Sequence, residues 1–110
     1  MNLEINLTEN VGQSILSVSG EIDAYTAPKL KDSLTPLMLN KGQVVIVDLE
    51  EVNYMDSTGL GVFISALKSA KEYESQLKIV NIQERVYRLF QITGLHEIMD
   101  LKATIKGGND

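Results

Sequence analysis

The sequence predicts an α/β domain, a small mixed β-sheet with α-helices packed on it. Three observations carry this. Two neighbouring segments near the start alternate apolar and polar residues, a continuous β-branched run occupies the middle, and strand-like segments then alternate with helical stripes. At 110 residues and 44% hydrophobic, the chain is the size of one domain with enough apolar material for one core.

Each element follows from its pattern. Leu3, Ile5 and Leu7 alternate with Asn2, Glu4, Asn6 and Thr8, as in a half-buried strand. Asn10 and Gly12 supply a turn, and Leu16, Val18 and Ile22 give a second strand that pairs with the first, with Gly20 near its end. Ala27, Leu30, Leu34 and Leu37 have helical spacing; Asp23 or Thr26 can cap this helix and Pro28 suits its first turn. Pro36 has no N–H for the Asp32 carbonyl, so the helix is expected to kink or end near Thr35. Val44 to Val47 reads as a central parallel strand covered on both faces, followed by a connection from Glu50 to Asp56 anchored by Val52.

Asp56 or Ser57 then caps the strongest helix, whose stripe is Leu60, Phe63, Ile64 and Leu67, widened by Val62, Ala66 and Ala70. Leu77 to Val80 is a further strand. Val86, Leu89 and Phe90 form a helical face that Gly94 stops, and Leu95 to Leu101 is expected to make a last short helix. The expected order is β-β-α-β-α-β-α-α. One domain is expected over 1–110, with polar residues 104–110 as a flexible tail.

Composition excludes several classes. The absence of cysteine rules out a disulfide scaffold, a thiolate metal site and a cysteine nucleophile. Ten Lys/Arg against fifteen Asp/Glu give a net charge of −5, which disfavours nucleic acid and favours a partner with a basic face. Met1-Asn2-Leu3-Glu4 lacks the basic and apolar regions of a secretory signal, and the apolar stretches are too short to span a bilayer, so a cytoplasmic protein is expected. The sequon Asn6-Leu7-Thr8 would then never meet its enzyme.

Enzyme signatures are missing. Gly59-Leu60-Gly61 is only a fragment of a dinucleotide fingerprint, because position 64 is Ile, and neither a phosphate-binding loop nor a nucleophile elbow is present. A triad would have to use the single histidine, His96, which reads as a surface or helix-end residue. The carboxylate sets Asp48, Glu50, Glu51 and Glu21, Asp23 have no accompanying histidine and read as solvated acidic loops, so no metal is expected. No cofactor and no enzymatic activity are expected.

Asp56-Ser57-Thr58-Gly59 has richer chemistry. It lies between a buried strand and an amphipathic helix, where a serine hydroxyl faces solvent beside unpaired backbone N–H groups. Ser57 there is either an ordinary N-cap or a phosphorylation site, since a helix N-terminus accommodates an anion. Gly59 and Gly61 lower helix propensity, and serve either close approach of a partner or tight helix-on-sheet packing.

Three motifs in order then point to a family. Met55 to Val62 resembles the phosphorylation motif of the STAS domain in its anti-sigma factor antagonist branch. Gly20-Glu21-Ile22-Asp23 with Tyr25 through Pro28 resembles that branch's second signature, and Arg88-Leu89-Phe90 with Thr93-Gly94-Leu95 its third. The resemblance covers nearly the whole chain and is nearest to antagonists of the general-stress anti-sigma-B factor of Gram-positive bacteria. It implies a partner switch. The unphosphorylated form binds an anti-sigma factor that is also an ATP-dependent serine kinase, and the sigma factor is released. Phosphorylation at Ser57, with Thr58 as the alternative acceptor, ends binding, and a PP2C-type phosphatase restores it. ATP belongs to the partner. The implied partner-binding residues are Asp23, Asp56, Ser57, Thr58, Gly59 and Gly61. A free monomer is the first reading. A scaffold subunit of a larger stress-sensing complex is the second.

Overall fold

The sheet is laid down strand by strand. In the computed structural model, which describes residues 2–104, the strands lie in chain order β1-β2-β3-β4-β5. Strands β1 (Leu3–Asn10) and β2 (Gln13–Ile22) form an antiparallel hairpin through a turn in which Gly12 has φ +77°. Strands β3 (Val44–Met55), β4 (Gln76–Ile82) and β5 (Asp100–Ala103) add in parallel, so the sheet is mixed as expected. Helices α1 (Ala27–Met38), α2 (Ser57–Tyr73) and α3 (Glu84–Ile92) make the three crossovers.

One face of the sheet carries the core. Leu16, Val18, Val45, Val47, Leu49, Leu77 and Ile79 are buried and join Leu30, Leu34, Leu60, Phe63, Val86 and Phe90 of the helices in one cluster. Phe63 of α2 and Phe90 of α3 meet with ring centroids 6.2 Å apart. Between the buried residues of β3, Val44, Ile46 and Asp48 are only partly covered. The expectation that Val44 to Val47 is covered on both faces is therefore corrected. All β-branched residues suit the pleat, and alternation in burial is not visible in a run that is apolar throughout.

Three further expectations change. The segment from Glu50 onward is strand as far as Met55, because Ser19, Gly20, Glu21 and Ile22 of β2 stand opposite Glu51, Val52, Tyr54 and Met55. The acidic set Asp48, Glu50, Glu51 thus lies on a strand rather than in a loop, and Asp48 Oδ1 accepts from the Glu50 N–H (3.0 Å) and Asn81 Nδ2 (3.2 Å). Helix α1 runs past Pro36 to Met38. Burial of Leu37 and Met38 outweighs the one lost hydrogen bond, and the helix ends a turn later.

The expected last helix is only a 3₁₀ turn, Leu95–Glu97, followed by strand β5. Gly94, at φ +79°, ends α3 as expected. The free edge of β4 then takes β5 as its partner, Ile79 opposite Leu101 and Lys78 opposite Asp100. Of the expected tail, Thr104 is tied to the sheet, its N–H donating to the Ile82 carbonyl at 2.8 Å; positions 105–110 lie outside the described residues.

Candidate functional site

The site forms where β2 and β3 leave the sheet side by side. Ile22 and Met55 are register partners, and the Asp56 N–H donates to the Ile22 carbonyl at 3.2 Å. Asp23 and Asp56 therefore emerge from adjacent strands, a lateral spacing of about 5 Å. Two glycines permit close approach at this end of the sheet, Gly20 towards β1 and Gly59 at the β2–β3 junction itself. Gly20 has φ +121°, and a Cβ there would lie 2.1 Å from the Asn2 carbonyl oxygen. Gly59 is buried, and a Cβ there would meet Met55 Cγ at 2.5 Å and Ile22 Cγ2 at 2.7 Å.

The first exit closes on itself. Asp23 Oδ1 accepts from the Tyr25 N–H (2.9 Å) and the Thr26 N–H (3.0 Å), while the Asp23 N–H donates to Thr26 Oγ1 (2.9 Å). The Thr26 hydroxyl in turn donates to the Glu21 carbonyl at 2.7 Å. Thr26 occupies the N-cap position of α1, but its side chain faces back into this turn and caps nothing. Asp23 and Thr26 are buried, and the turn leaves Tyr25 87% exposed.

The second exit is open. Asp56, not Ser57, is the cap of α2: its Oδ1 accepts from the Thr58 N–H at 2.9 Å and from the Thr58 hydroxyl. These bonds hold the Asp56 carboxyl below the usual carboxylate range. The Thr58 hydroxyl is the main cause, burial opposes it, and the backbone N–H groups of Thr58 and Gly59 add to it. Ser57 is exposed at the first position of α2, and among the described residues its hydroxyl takes part in no hydrogen bond.

The residues expected from the sequence thus separate by role. Asp23, Asp56, Ser57, Thr58, Gly59 and Gly61 come together at one end of the sheet, but Gly59 is spent on packing against β2 and β3. Gly61 is exposed, with open space where a Cβ would stand. Tyr54, 47% exposed and opposite Glu21, was not legible as a site residue; its signal is an aromatic next to the buried end residue Met55. His96 lies away from this end, in the 3₁₀ turn, with its Nδ1 buried and unpartnered and its Nε2 4.0 Å from Glu97. Among the described residues, none of the acidic sets forms a cluster that would hold a metal, and no helix is long and apolar enough to cross a membrane.

Comparison with known proteins agrees with this geometry. The STAS domain family matches residues 2–107. The anti-sigma-B factor antagonist of Listeria monocytogenes is 48% identical over 103 residues, 93% of this chain and 90% of that protein. Among solved structures, an anti-sigma factor antagonist from Mycobacterium paratuberculosis superposes with a TM-score of 0.82 at 25% identity, over 94% of this chain and 88% of the other. The Bacillus cell fate determinant SpoIIAA in its phosphorylated form shares the fold, with a TM-score of 0.72 at 15% identity over 94% and 93% of the two chains. A family match over nearly the whole chain, a relative at almost half identity and a solved antagonist that superposes with a TM-score of 0.82 lead to one conclusion: this chain belongs to the STAS family, in the group of anti-sigma factor antagonists.

Proposed function

We propose that this chain is a cytoplasmic partner-switching regulator that binds an anti-sigma factor when Ser57 is unmodified and lets go when Ser57 carries phosphate. The single observation behind this is the contrast between adjacent hydroxyls. Thr58 is engaged with the Asp56 carboxylate, whereas the Ser57 hydroxyl is exposed and unengaged. Ser57 is thus the acceptor and Thr58 the alternative.

The chemistry is that of a kinase held by the partner. The γ-phosphoryl group of the partner's ATP passes to Ser57 Oγ, the bond to the β-phosphate oxygen breaks, ADP leaves, and a base on the kinase takes the hydroxyl proton. This chain supplies only the acceptor. The helix N-terminus tolerates the new anion, so the fold persists and only the surface changes. A charge of about −1.5 to −2 then stands beside Asp56, and a complex that desolvates it without a cation is weakened. A PP2C-type phosphatase would reverse the step. The chain has no enzymatic activity in this scheme. Its acidic charge of −5 suits a partner with a basic face.

The test is capture from lysate of the source cells with tagged Ser57→Ala and Ser57→Glu chains. Recovery of an ATP-binding anti-sigma factor by the alanine form but not the glutamate form supports the proposal. Equal recovery by both overturns the role of charge at Ser57.

A further inference from the structure

We propose that Tyr25 and Tyr54 are the two aromatic anchors by which the unphosphorylated chain grips its anti-sigma factor, one just after β2 and one near the end of β3, at the same end of the sheet as Ser57. The inference rests on the function proposed above and adds which residues supply the binding energy. Tyr54 precedes Ser57 by three residues in the chain, and Tyr25 follows Ile22, the register partner of Met55, by three. Both fall well inside a patch of about 800 Å² per partner, the usual size of a specific interface.

Exposure alone decides nothing, since isolated apolar residues are common on surfaces. The mounting is the stronger observation. Tyr25 is 87% exposed, yet its backbone N–H is bonded to Asp23 Oδ1 within a turn closed by Asp23 and Thr26. Tyr54 is 47% exposed on a strand residue paired with Glu21, between the buried Val52 and Met55. Each ring thus hangs from a hydrogen-bonded backbone, so little backbone entropy remains to be lost when a partner covers it, and tyrosine has only two side-chain torsions to fix. Tyrosine combines a large apolar ring with a polar tip and is enriched among interface hot spots.

The surroundings select the occupant. Glu21 lies opposite Tyr54, Glu51 lies three residues before it and Asp56 two after it, so a cover for this patch has apolar pockets rimmed by cations. That is the basic face expected of the anti-sigma factor. The arrangement also accounts for the force of one phosphate. With both anchors within a few residues of the paired ends of β2 and β3, Ser57 falls inside the same interface, where an unpaired desolvated charge weakens binding. Tyr73, 42% exposed, is the internal control: it ends the 17-residue α2, about 25 Å from Ser57 along the helix.

The experiment is calorimetric titration of the full, unphosphorylated chain into the anti-sigma factor recovered with Ser57→Ala, without ATP. Tyr25→Ala and Tyr54→Ala are each expected to weaken binding about thirtyfold, while Tyr73→Ala changes it less than about twofold. Tyr25→Phe should retain most of the affinity, and all variants should keep the wild-type circular dichroism and thermal midpoint. If Tyr25→Ala or Tyr54→Ala, folded, binds within threefold of wild type, the two-anchor inference fails, even where Ser57→Glu still abolishes binding. If the wild-type chain does not bind, the function proposed above fails and the anchors with it.

Discussion

The starts of α1 and α2 are neighbours built from similar parts, and they do opposite things. Each follows a strand whose last residue pairs with the other, Ile22 with Met55, and each opens with an aspartate. At the first, Asp23 and Thr26 satisfy one another and are buried. At the second, Asp56 and Thr58 satisfy one another at the surface and leave the Ser57 hydroxyl uncommitted. The same side-chain chemistry is structural where it is enclosed and presentational where it is exposed. Burial, not residue type, decides between them.

The difference between the two helix starts is most easily abolished at Asp23. Asp23→Ala orphans two backbone N–H groups inside the turn and should cost about 2–3 kcal/mol, read by urea denaturation. Asp23→Asn, which keeps an acceptor oxygen, should cost clearly less, and an equal loss for both would show that the charge rather than the turn matters. Gly59→Ala forces a methyl group against Met55 and Ile22 and is expected to destabilise by about 1–3 kcal/mol, with a lower thermal midpoint.

Asp56→Ala removes a half-buried cap at the surface and should cost only about 1 kcal/mol. Its cost should also depend on pH. The folded Asp56 carboxyl titrates below its unfolded value, so its contribution is fully present above about pH 4 and is lost as pH falls through the folded value. The gap between wild type and Asp56→Ala in denaturation midpoints should therefore narrow in acid; a constant gap would contradict the carboxylate cap. At the small end, Gly61→Ala should stabilise α2 by about 0.5–1 kcal/mol, because the new Cβ meets open space. If the partner packs on that stretch of α2, the same change should weaken its binding by calorimetry, so stability and affinity would move in opposite directions.

Local pattern was enough wherever one residue's environment is set by near neighbours. The stripe through Leu60, Phe63 and Ala66 gave α2, the Asn10–Gly12 turn gave the hairpin, and Asp56-Ser57-Thr58-Gly59 was legible as a helix start with unusual chemistry. Long-range pairing hid the rest. Nothing local in Glu50 to Tyr54 announces a strand until β2 lies beside it, and Asp100 to Ala103 becomes β5 only because the edge of β4 is free.

Local pattern alone established that this is one α/β domain, where its three long helices lie, and which serine stands at the start of the strongest one. These follow from periodicity and capping, which act within a few residues. It took the packed fold to settle that Asp23 is enclosed while Asp56 is half-buried, that Gly59 belongs to the core and Gly61 to the surface, and that Tyr25 and Tyr54 are exposed near the paired ends of β2 and β3. Those distinctions depend on which strand lies beside which, and strand register is set by contacts between residues far apart in the chain.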